Sequence, residues 1–142
     1  MDGEDEALEV IDLIYRLSRS LVNDIQGHVG AAAGLEMAEF ALLRAVVGGT
    51  TSPSGLARDL RVHPAVISRT ITRLVKAGLI ERRLDPGDSR RVALALTDRG
   101  RATTDAIAAR IRPSLRERLD ALPDGDTGRL VAALRHLAAI GS

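Results

Sequence analysis

Near its beginning, the chain places apolar residues at alternating spacings of three and four. These residues are Leu8, Ile11, Ile14, Leu17, Leu21 and Ile25. The spacing predicts an amphipathic helix from about residue 5 to residue 28, and the acidic residues in its first turn complement the helix dipole. Gly27, Gly30 and Gly34 predict the break that follows this helix.

Three shorter helical patterns follow, and two of them begin with proline. The first is predicted over residues 36–47 and the second over residues 53–60, where Ser52 is suited to be the N-cap. The third is predicted over residues 64–77, with Gly78 placed to end it. The last two helices are close enough in sequence to form a helix-turn-helix.

The period of the pattern then changes from that of a helix to that of a strand. Ile80 and Leu84 alternate with Arg82, and the apolar residues of 92–96 alternate with alanine. Such alternation indicates two half-buried strands. The turn-forming sequence DPGDSR, at residues 85–90, joins them into a hairpin with an arginine-rich tip.

Two further helices complete the predicted fold. Thr97 is suited to cap a long helix over about residues 98–122, in which Pro113 is expected to cause a kink or a division. A final helix is predicted over residues 126–140. The fold class is therefore mainly α with a small β wing, a winged helix-turn-helix flanked by N-terminal and C-terminal helices.

The composition limits the classes of protein that the chain can be. Tyr15 and Phe40 are the only large aromatic residues among 142, so the core must be aliphatic, which suits packed helices. The absence of cysteine excludes disulfides and thiolate metal sites. The acidic N-terminus lacks the basic region of a signal peptide, and no apolar run is long enough to span a bilayer. We therefore expect a soluble, cytoplasmic protein.

The chain shows no pattern that indicates a catalytic or metal site. His28, His63 and His136 are far apart in the sequence and have no partner at ligand spacing. No nucleophile motif, phosphate-binding loop or pair of catalytic carboxylates is present. We expect neither an enzyme nor a cofactor.

Positive charge is concentrated in the middle of the sequence. Residues 1–51 contain 3 basic and 9 acidic residues, a balance of −6, whereas residues 52–101 contain 11 and 5, a balance of +6. Residues 102–142 contain 6 and 5, which gives +1. This distribution is typical of a protein that contacts a polyanion through one part of its surface, although a solvated helical surface is the alternative.

The helix over residues 64–77 carries the first group of candidate DNA contacts. At 100° per residue, its polar and basic positions fall opposite its apolar ones, with Ser68 at the border. A helix of this kind can enter the major groove of DNA, where arginine binds guanine edges or phosphates. The candidate DNA-binding residues of this helix and of the hairpin are His63, Pro64, Ala65, Ser68, Arg69, Thr72, Arg73, Lys76, Asp88, Arg90 and Arg91.

The hairpin carries the second group of candidates. Arginine suits a narrow, electronegative minor groove, so Arg90 and Arg91 are predicted to contact DNA rather than only solvent. Arg82 and Arg83 lie on opposite faces of the first strand, so only one can point toward DNA. The other is expected to pair with a neighbouring acid such as Glu81 or Asp85.

The terminal helices each have a wide apolar stripe that needs a partner. A second copy of the chain would supply it, and a symmetric dimer would place two recognition helices about 34 Å apart on a pseudo-palindromic operator. An intramolecular bundle is the alternative. On the dimer interpretation, residues 1–34 form an N-terminal dimerisation helix, 35–100 the DNA-binding domain, and 101–142 a linking helix and a C-terminal dimerisation helix.

These elements, in this order, resemble the MarR (multiple antibiotic resistance regulator) family. The similarity covers most of the chain and is strongest in the segment LARDLRVHPAVISRTITRLVKAGLIERRLDPGDSRRVALALTDRG. Its most specific part is the wing, where Asp88-Ser89-Arg90 matches an Asp-x-Arg pair. The following strand ends in Leu-Thr, and Gly100 comes after it, as in the family pattern.

The resemblance implies roles for several residues. It implies a homodimer whose first and last helices interlock, with the recognition helix over residues 64–76. It also implies that Arg90 enters the minor groove while Asp88 orients it. Two positions depart from the family pattern: Ser89 replaces a frequent arginine, and His63 replaces the usual serine or threonine before the helix, which puts the helix cap in doubt.

The resemblance further implies a small, frequently aromatic, effector bound between the dimer helices and the winged unit. Residues on elements that could line such a pocket are Tyr15, Arg16, Arg19, His28, Met37 and Phe40. The sequence thus predicts a homodimeric, sequence-specific transcriptional regulator, with repression favoured because a dimer on a promoter blocks polymerase. The alternatives are a winged-helix adaptor that binds proteins and a nucleoid-type DNA binder without a specific operator.

Overall fold

The part of the chain that the structure describes folds into six helices and one two-stranded sheet. A computed structural model describes residues 3–85 and 87–139, and the side chains of residues 28–33, 89 and 90 lie outside that description. In chain order the elements are α1 (Gly3–Ala33), α2 (Met37–Val47), α3 (Pro53–Leu60), α4 (Pro64–Lys76), β1 (Ile80–Asp85), β2 (Asp88–Leu96), α5 (Asp98–Asp120) and α6 (Asp126–Ala139). The predicted fold class, a winged helix-turn-helix with flanking helices, is confirmed.

Helix α1 is longer than the glycine pattern predicts. It continues through Gly27 and Gly30 and ends at Ala33, just before Gly34, which has a φ of 66°. The prediction of an end near residue 28 was wrong because a glycine inside a helix costs only about 1 kcal/mol, and the alanines that follow are the best helix formers. Only the glycine in the left-handed conformation terminates the helix.

The core of the winged unit is aliphatic, as the composition predicts. Its most deeply buried hydrophobic side chains come from every element between α2 and α5, and they are Leu42, Leu43, Leu56, Leu74, Ile80, Leu94 and Ile107. Phe40 is the one ring among the buried residues. Helix α2 enters this core through a capping box, in which the side chain of Glu39 accepts from the Glu36 backbone N–H at 3.2 Å.

Helices α3 and α4 begin as the sequence predicts. The Ser52 hydroxyl accepts from the backbone N–H of Gly55 at 3.0 Å, and proline occupies the first position of both helices. His63 caps α4, since its Nδ1 accepts from the Ala65 N–H at 3.1 Å. His63 therefore serves as an N-cap, although serine or threonine is usual at this position in the family pattern.

The wing is an antiparallel hairpin in which Ile80 pairs with Leu96 and Leu84 with Val92. Its base is fixed to the start of α5 by Thr97. The Thr97 hydroxyl donates to the Gly78 carbonyl at 2.6 Å and accepts from the Gly100 N–H at 2.9 Å. The start of α5 therefore lies directly against the end of α4 and the start of the wing.

Pro113 does not divide the long helix, contrary to one of the two predicted outcomes. Helix α5 runs without interruption to Asp120. Proline removes the hydrogen bond to the carbonyl of Ala109, but both residues are exposed, so water can solvate that carbonyl. Ile140, at the predicted end of the last helix, lies outside the described residues.

The apolar stripes of the terminal helices are exposed in the single chain. On α1, Leu8 and Ile11 are 61% and 63% exposed, and on α6, Leu134 and Leu137 are 53% and 58% exposed. Helix α6 has no buried residue. One chain therefore leaves these faces open and does not form the intramolecular bundle that was the alternative. No helix in the described ranges is long and apolar enough to cross a membrane.

Candidate nucleic-acid interface

The outward face of α4 is exposed and cationic. Arg69, Arg73 and Lys76 are all exposed, whereas Ile67 and Ile71 anchor the opposite face in the core. Within the described part of the chain, none of the three cations forms an ion pair with a carboxylate. A face of this kind keeps its full positive charge available to an anionic partner.

Small polar side chains lie between these cations. Ser68, Arg69, Thr72 and Arg73 together line a shallow depression along the helix, with Val66 beside them. The Thr72 hydroxyl donates to the Ser68 carbonyl at 3.0 Å, so its methyl group and both lone pairs of its oxygen remain available to a partner. The outward face of α4 can therefore enter a groove without obstruction by a bulky apolar side chain.

The N-terminal end of α4 extends the same surface. His63, Pro64 and Ala65 are all exposed. Because the Nδ1 of His63 accepts a backbone hydrogen bond, the ring hydrogen is assigned to Nε2. That hydrogen can be donated to a phosphate, and the positive end of the helix dipole lies beside it.

The cap at His63 makes a testable contribution to stability. We expect His63→Ala to lower the free energy of unfolding by about 1 kcal/mol, because the Ala65 N–H loses its acceptor. His63→Asn should retain most of that stability, since asparagine is also an N-cap residue. Urea denaturation of the three proteins measures both effects, and an equal loss in both variants would contradict this role.

The wing brings a second set of basic residues to the surface. Arg91 lies 3.7 Å from the Asp88 carboxylate, and both residues are exposed. The Asp85 carboxylate accepts from the Gly87 N–H at 2.8 Å, which holds the turn. The side chain of Arg90 lies outside the described residues, so the interaction expected between Asp88 and Arg90 stays a prediction, and the ion pair that is described joins Asp88 to Arg91.

The two arginines of β1 have different partners, as the alternation of side chains along a strand predicts. Arg83 forms an ion pair with Glu81, and its Nε donates to the same carboxylate at 2.6 Å. Arg82 is exposed and has no carboxylate partner among the described residues. Arg82 is therefore the β1 cation that remains available to an anionic partner.

Sequence reasoning missed a contact that fixes the wing relative to α3. The Leu94 N–H donates to the Thr51 carbonyl at 2.8 Å, which ties β2 to the segment that precedes α3. Beside this contact, the residues at the start of α3 and the outer part of β2 enclose a groove that includes Arg91. No local pattern could reveal this bond, because it joins residues distant in sequence.

The structure places a candidate ligand groove between α2 and α5. It has a volume of about 350 Å³ and is lined by Phe40, Arg44, Ala108, Ile111, Arg112, Leu115, Arg116 and Leu119. Of the residues that the sequence suggested for an effector pocket, only Phe40 lines this groove. Tyr15 is 66% exposed on α1, and the side chain of His28 lies outside the described residues. The described residues contain no histidine and carboxylate cluster that could hold a metal.

Comparison with known proteins supports the class of protein that this geometry indicates. A model of the MarR family matches residues 33–91, which cover the helix-turn-helix and part of the wing. No curated protein gave a significant match.

Several solved structures share the fold. The transcriptional regulator BldR from Sulfolobus solfataricus is 23% identical, with a TM-score of 0.83 over 96% of this chain and 97% of that one. CouR from Rhodococcus jostii RHA1, bound to p-coumaroyl-CoA, is 22% identical, with a TM-score of 0.82 over 90% of each chain. A mutant of MarR from E. coli, complexed with operator DNA, is 22% identical, with a TM-score of 0.77 over 96% and 99%.

The protein is thus a winged helix-turn-helix protein. Its helix-turn-helix and part of its wing match a model of the MarR family, and the resemblance predicted from the sequence is confirmed. The solved structures share the fold.

Proposed function

We propose that the protein is a homodimeric transcriptional regulator that binds double-stranded DNA through α4 and the wing. The observation that carries this proposal is the outward face of α4, where Arg69, Arg73 and Lys76 are exposed and have no acidic partner among the described residues. An unpaired cationic helix next to a basic hairpin fits the major groove and the adjoining minor groove. A protein-binding adaptor would need neither feature.

The exposed stripes of α1 and α6 support the dimer. Large apolar side chains seldom form such continuous exposed faces in a monomer. A second copy would cover them, and its two-fold axis would pair two α4 helices with half-sites about one DNA turn apart. A dimer on a promoter blocks polymerase without a further surface, which favours repression. Residues 1–34 and 101–142 are accordingly the proposed dimerisation segments, and 35–100 the proposed DNA-binding domain.

The dimer can be tested through one residue of α6. We expect Leu134→Asp to convert the protein to a monomer, because a carboxylate would be buried in an apolar interface without a partner. Arg135→Asp is the matched control at a position of the same helix outside its apolar stripe, and it should stay dimeric. Sedimentation equilibrium distinguishes the two masses, and a wild-type monomer would contradict the proposed assembly.

We also propose that release from DNA is controlled by an organic anion bound in the groove between α2 and α5. Arg112 and Arg116 are one turn apart on α5, a like-charge arrangement that is unfavourable in a helix. Arg44 adds a third cation from α2, and none of the three has an ion-pair partner in the described ranges. Phe40 and the aliphatic lining would hold an apolar body, so an aryl carboxylate fits the groove.

A charged and an uncharged ligand of the same shape test this effector site. We expect 3-phenylpropanoate to bind more tightly than its amide, because only the acid can pair with the arginines. Arg112→Gln should weaken binding of the acid about tenfold and leave the amide unaffected. Isothermal titration measures the affinity of both ligands. Equal affinities of the acid and the amide for the wild type would contradict the proposal that the arginines select an anion.

DNA binding itself is tested by competition. A labelled duplex from upstream of the protein's own gene should be displaced far less readily by random DNA than by itself, and the affinity should fall steeply with salt. Arg90→Ala should weaken binding, which tests the wing residue. Equal competition by random DNA would favour a nucleoid-type binder, and no binding at any salt concentration would favour the adaptor.

A further inference from the structure

Arg61 holds an unusual backbone conformation in the turn between α3 and α4. Its φ and ψ are 54° and 47°, and it is the one residue other than glycine with a positive φ in the described ranges. In this region the Cβ atom crowds the following carbonyl oxygen, so glycine is the usual residue at such a helix end. An arginine here therefore costs free energy that glycine would not.

The side chain of Arg61 reaches the far end of the sequence. Its Nη2 donates to the Ala138 carbonyl at 3.3 Å, which joins residues 77 positions apart. Ala138 lies in the last described turn of α6, toward the end of the helix where the dipole is negative. A guanidinium is well suited to this helix end, because it is cationic and donates several hydrogen bonds.

The hydrogen bond between Arg61 and Ala138 joins two segments that have different proposed roles. At one end, the turn that contains Arg61 sets the direction of α4 relative to α3. At the other end, α6 buries no residue within its own chain, so few contacts of its own fix it to the winged unit. The hydrogen bond from Arg61 to Ala138 is thus a direct link between the proposed dimerisation helix and the turn that directs α4.

We propose that Arg61 is a positioning residue that fixes the separation of the two α4 helices and thereby the half-site spacing that the dimer accepts. The inference rests on the proposed dimer and on its proposed DNA binding. A dimer whose winged units are held at one separation should discriminate between operators that differ by one base pair in spacing. Loss of the link should allow each winged unit to adjust and should reduce that discrimination.

The first test measures the link without DNA. The described chain has no cysteine, so Ser54→Cys on α3 and Arg135→Cys on α6, both at exposed positions, can carry spin labels. Dilution with unlabelled protein leaves one labelled chain per dimer, and electron–electron resonance gives the distance distribution. Arg61→Gly retains the favoured backbone conformation but removes the guanidinium. We expect a narrow distribution in the wild type and a clearly broader one in Arg61→Gly.

The second test measures spacing on DNA. The wild type should bind its preferred operator about tenfold more tightly than operators with one base pair added or removed. Arg61→Gly should lose most of this preference, and Arg61→Lys, which keeps a cation of similar reach, should restore part of it. Arg58→Ala removes a neighbouring exposed arginine that pairs with Asp59, and it is the matched control that should keep the preference.

The two tests separate this inference from the proposed function. Unchanged distance distributions and an unchanged spacing preference in Arg61→Gly would overturn the positioning role, even if DNA binding is normal. A wild type that binds no DNA would contradict the proposed function, while the distance measurement would still decide whether Arg61 holds α6 to the winged unit. Thermal unfolding of each variant confirms that it is folded under the conditions used.

Discussion

Replacing Arg69 and Arg73 together by alanine should lower the affinity for operator DNA by at least about 10³-fold. Each side chain occurs twice in the proposed dimer, and a specific arginine contact contributes about 1–3 kcal/mol. The loss of four such contacts therefore corresponds to about 4 kcal/mol or more, and 1.4 kcal/mol is about a tenfold change in Kd. Both side chains are exposed and unpaired among the described residues, so their removal should leave the fold intact.

The control variant for this prediction loses the same net charge as the variant that lacks Arg69 and Arg73. Arg110→Ala combined with Arg135→Ala removes two exposed arginines from α5 and α6, away from the face of α4. Fluorescence anisotropy with a labelled operator measures all three proteins at one salt concentration. A similar loss of affinity in the control would mean that only overall charge matters, and the role of the α4 face would then be wrong.

Gly100→Ala should produce the largest loss of stability of any single methyl addition in the winged unit. A Cβ atom at Gly100 would lie 1.9 Å from the Leu79 carbonyl oxygen, and this neighbour is backbone, which cannot rotate away. Overpacking of this kind costs about 1–3 kcal/mol and sometimes more. We expect about 3 kcal/mol, which lowers Tm by roughly 10 °C in a chain of this size.

Gly128→Ala on α6 is the matched control for Gly100→Ala. A Cβ atom there would have no neighbour within 4 Å, so the variant should be slightly more stable than the wild type. Thermal unfolding by circular dichroism gives both values of Tm. Similar changes of Tm in the two variants would contradict the close contact between Gly100 and Leu79 at the base of the wing.

The Gly100 contact also matters for the wing. Thr97 donates to Gly78 and accepts from Gly100, so the end of α4, the start of the wing and the start of α5 meet at one point. Movement of α5 away from Leu79 would therefore displace the wing relative to α4. We expect DNA affinity and stability to fall together in Gly100→Ala.

Features that depend on neighbouring residues could be predicted from the sequence. Ser52 and Pro53 mark the start of α3, and Gly78 follows the end of α4, because capping and proline preferences act within one helical turn. The outward face of α4 follows from the helical period alone. The pairing of Arg83 with Glu81 follows from the alternation of a strand.

Features that depend on distant residues could not be predicted in this way. The Leu94 N–H finds its acceptor at Thr51, and Arg61 finds Ala138, because folding brings together segments without a shared local pattern. The candidate ligand groove is likewise assembled from α2 and α5, so the residues that the sequence suggested on α1 and α2 included only Phe40 of its lining. The true end of α1 was missed because a single glycine is a weak stop signal.

Selection of DNA from a random duplex library tests the central claim most directly, because it needs no knowledge of the regulated genes. If a dimer reads DNA through α4, the wild type should enrich a pseudo-palindrome whose half-sites are about 10 base pairs apart. The variant that lacks Arg69 and Arg73 should enrich no such motif. Enrichment of no motif by the wild type, or of a single asymmetric site, would contradict the account.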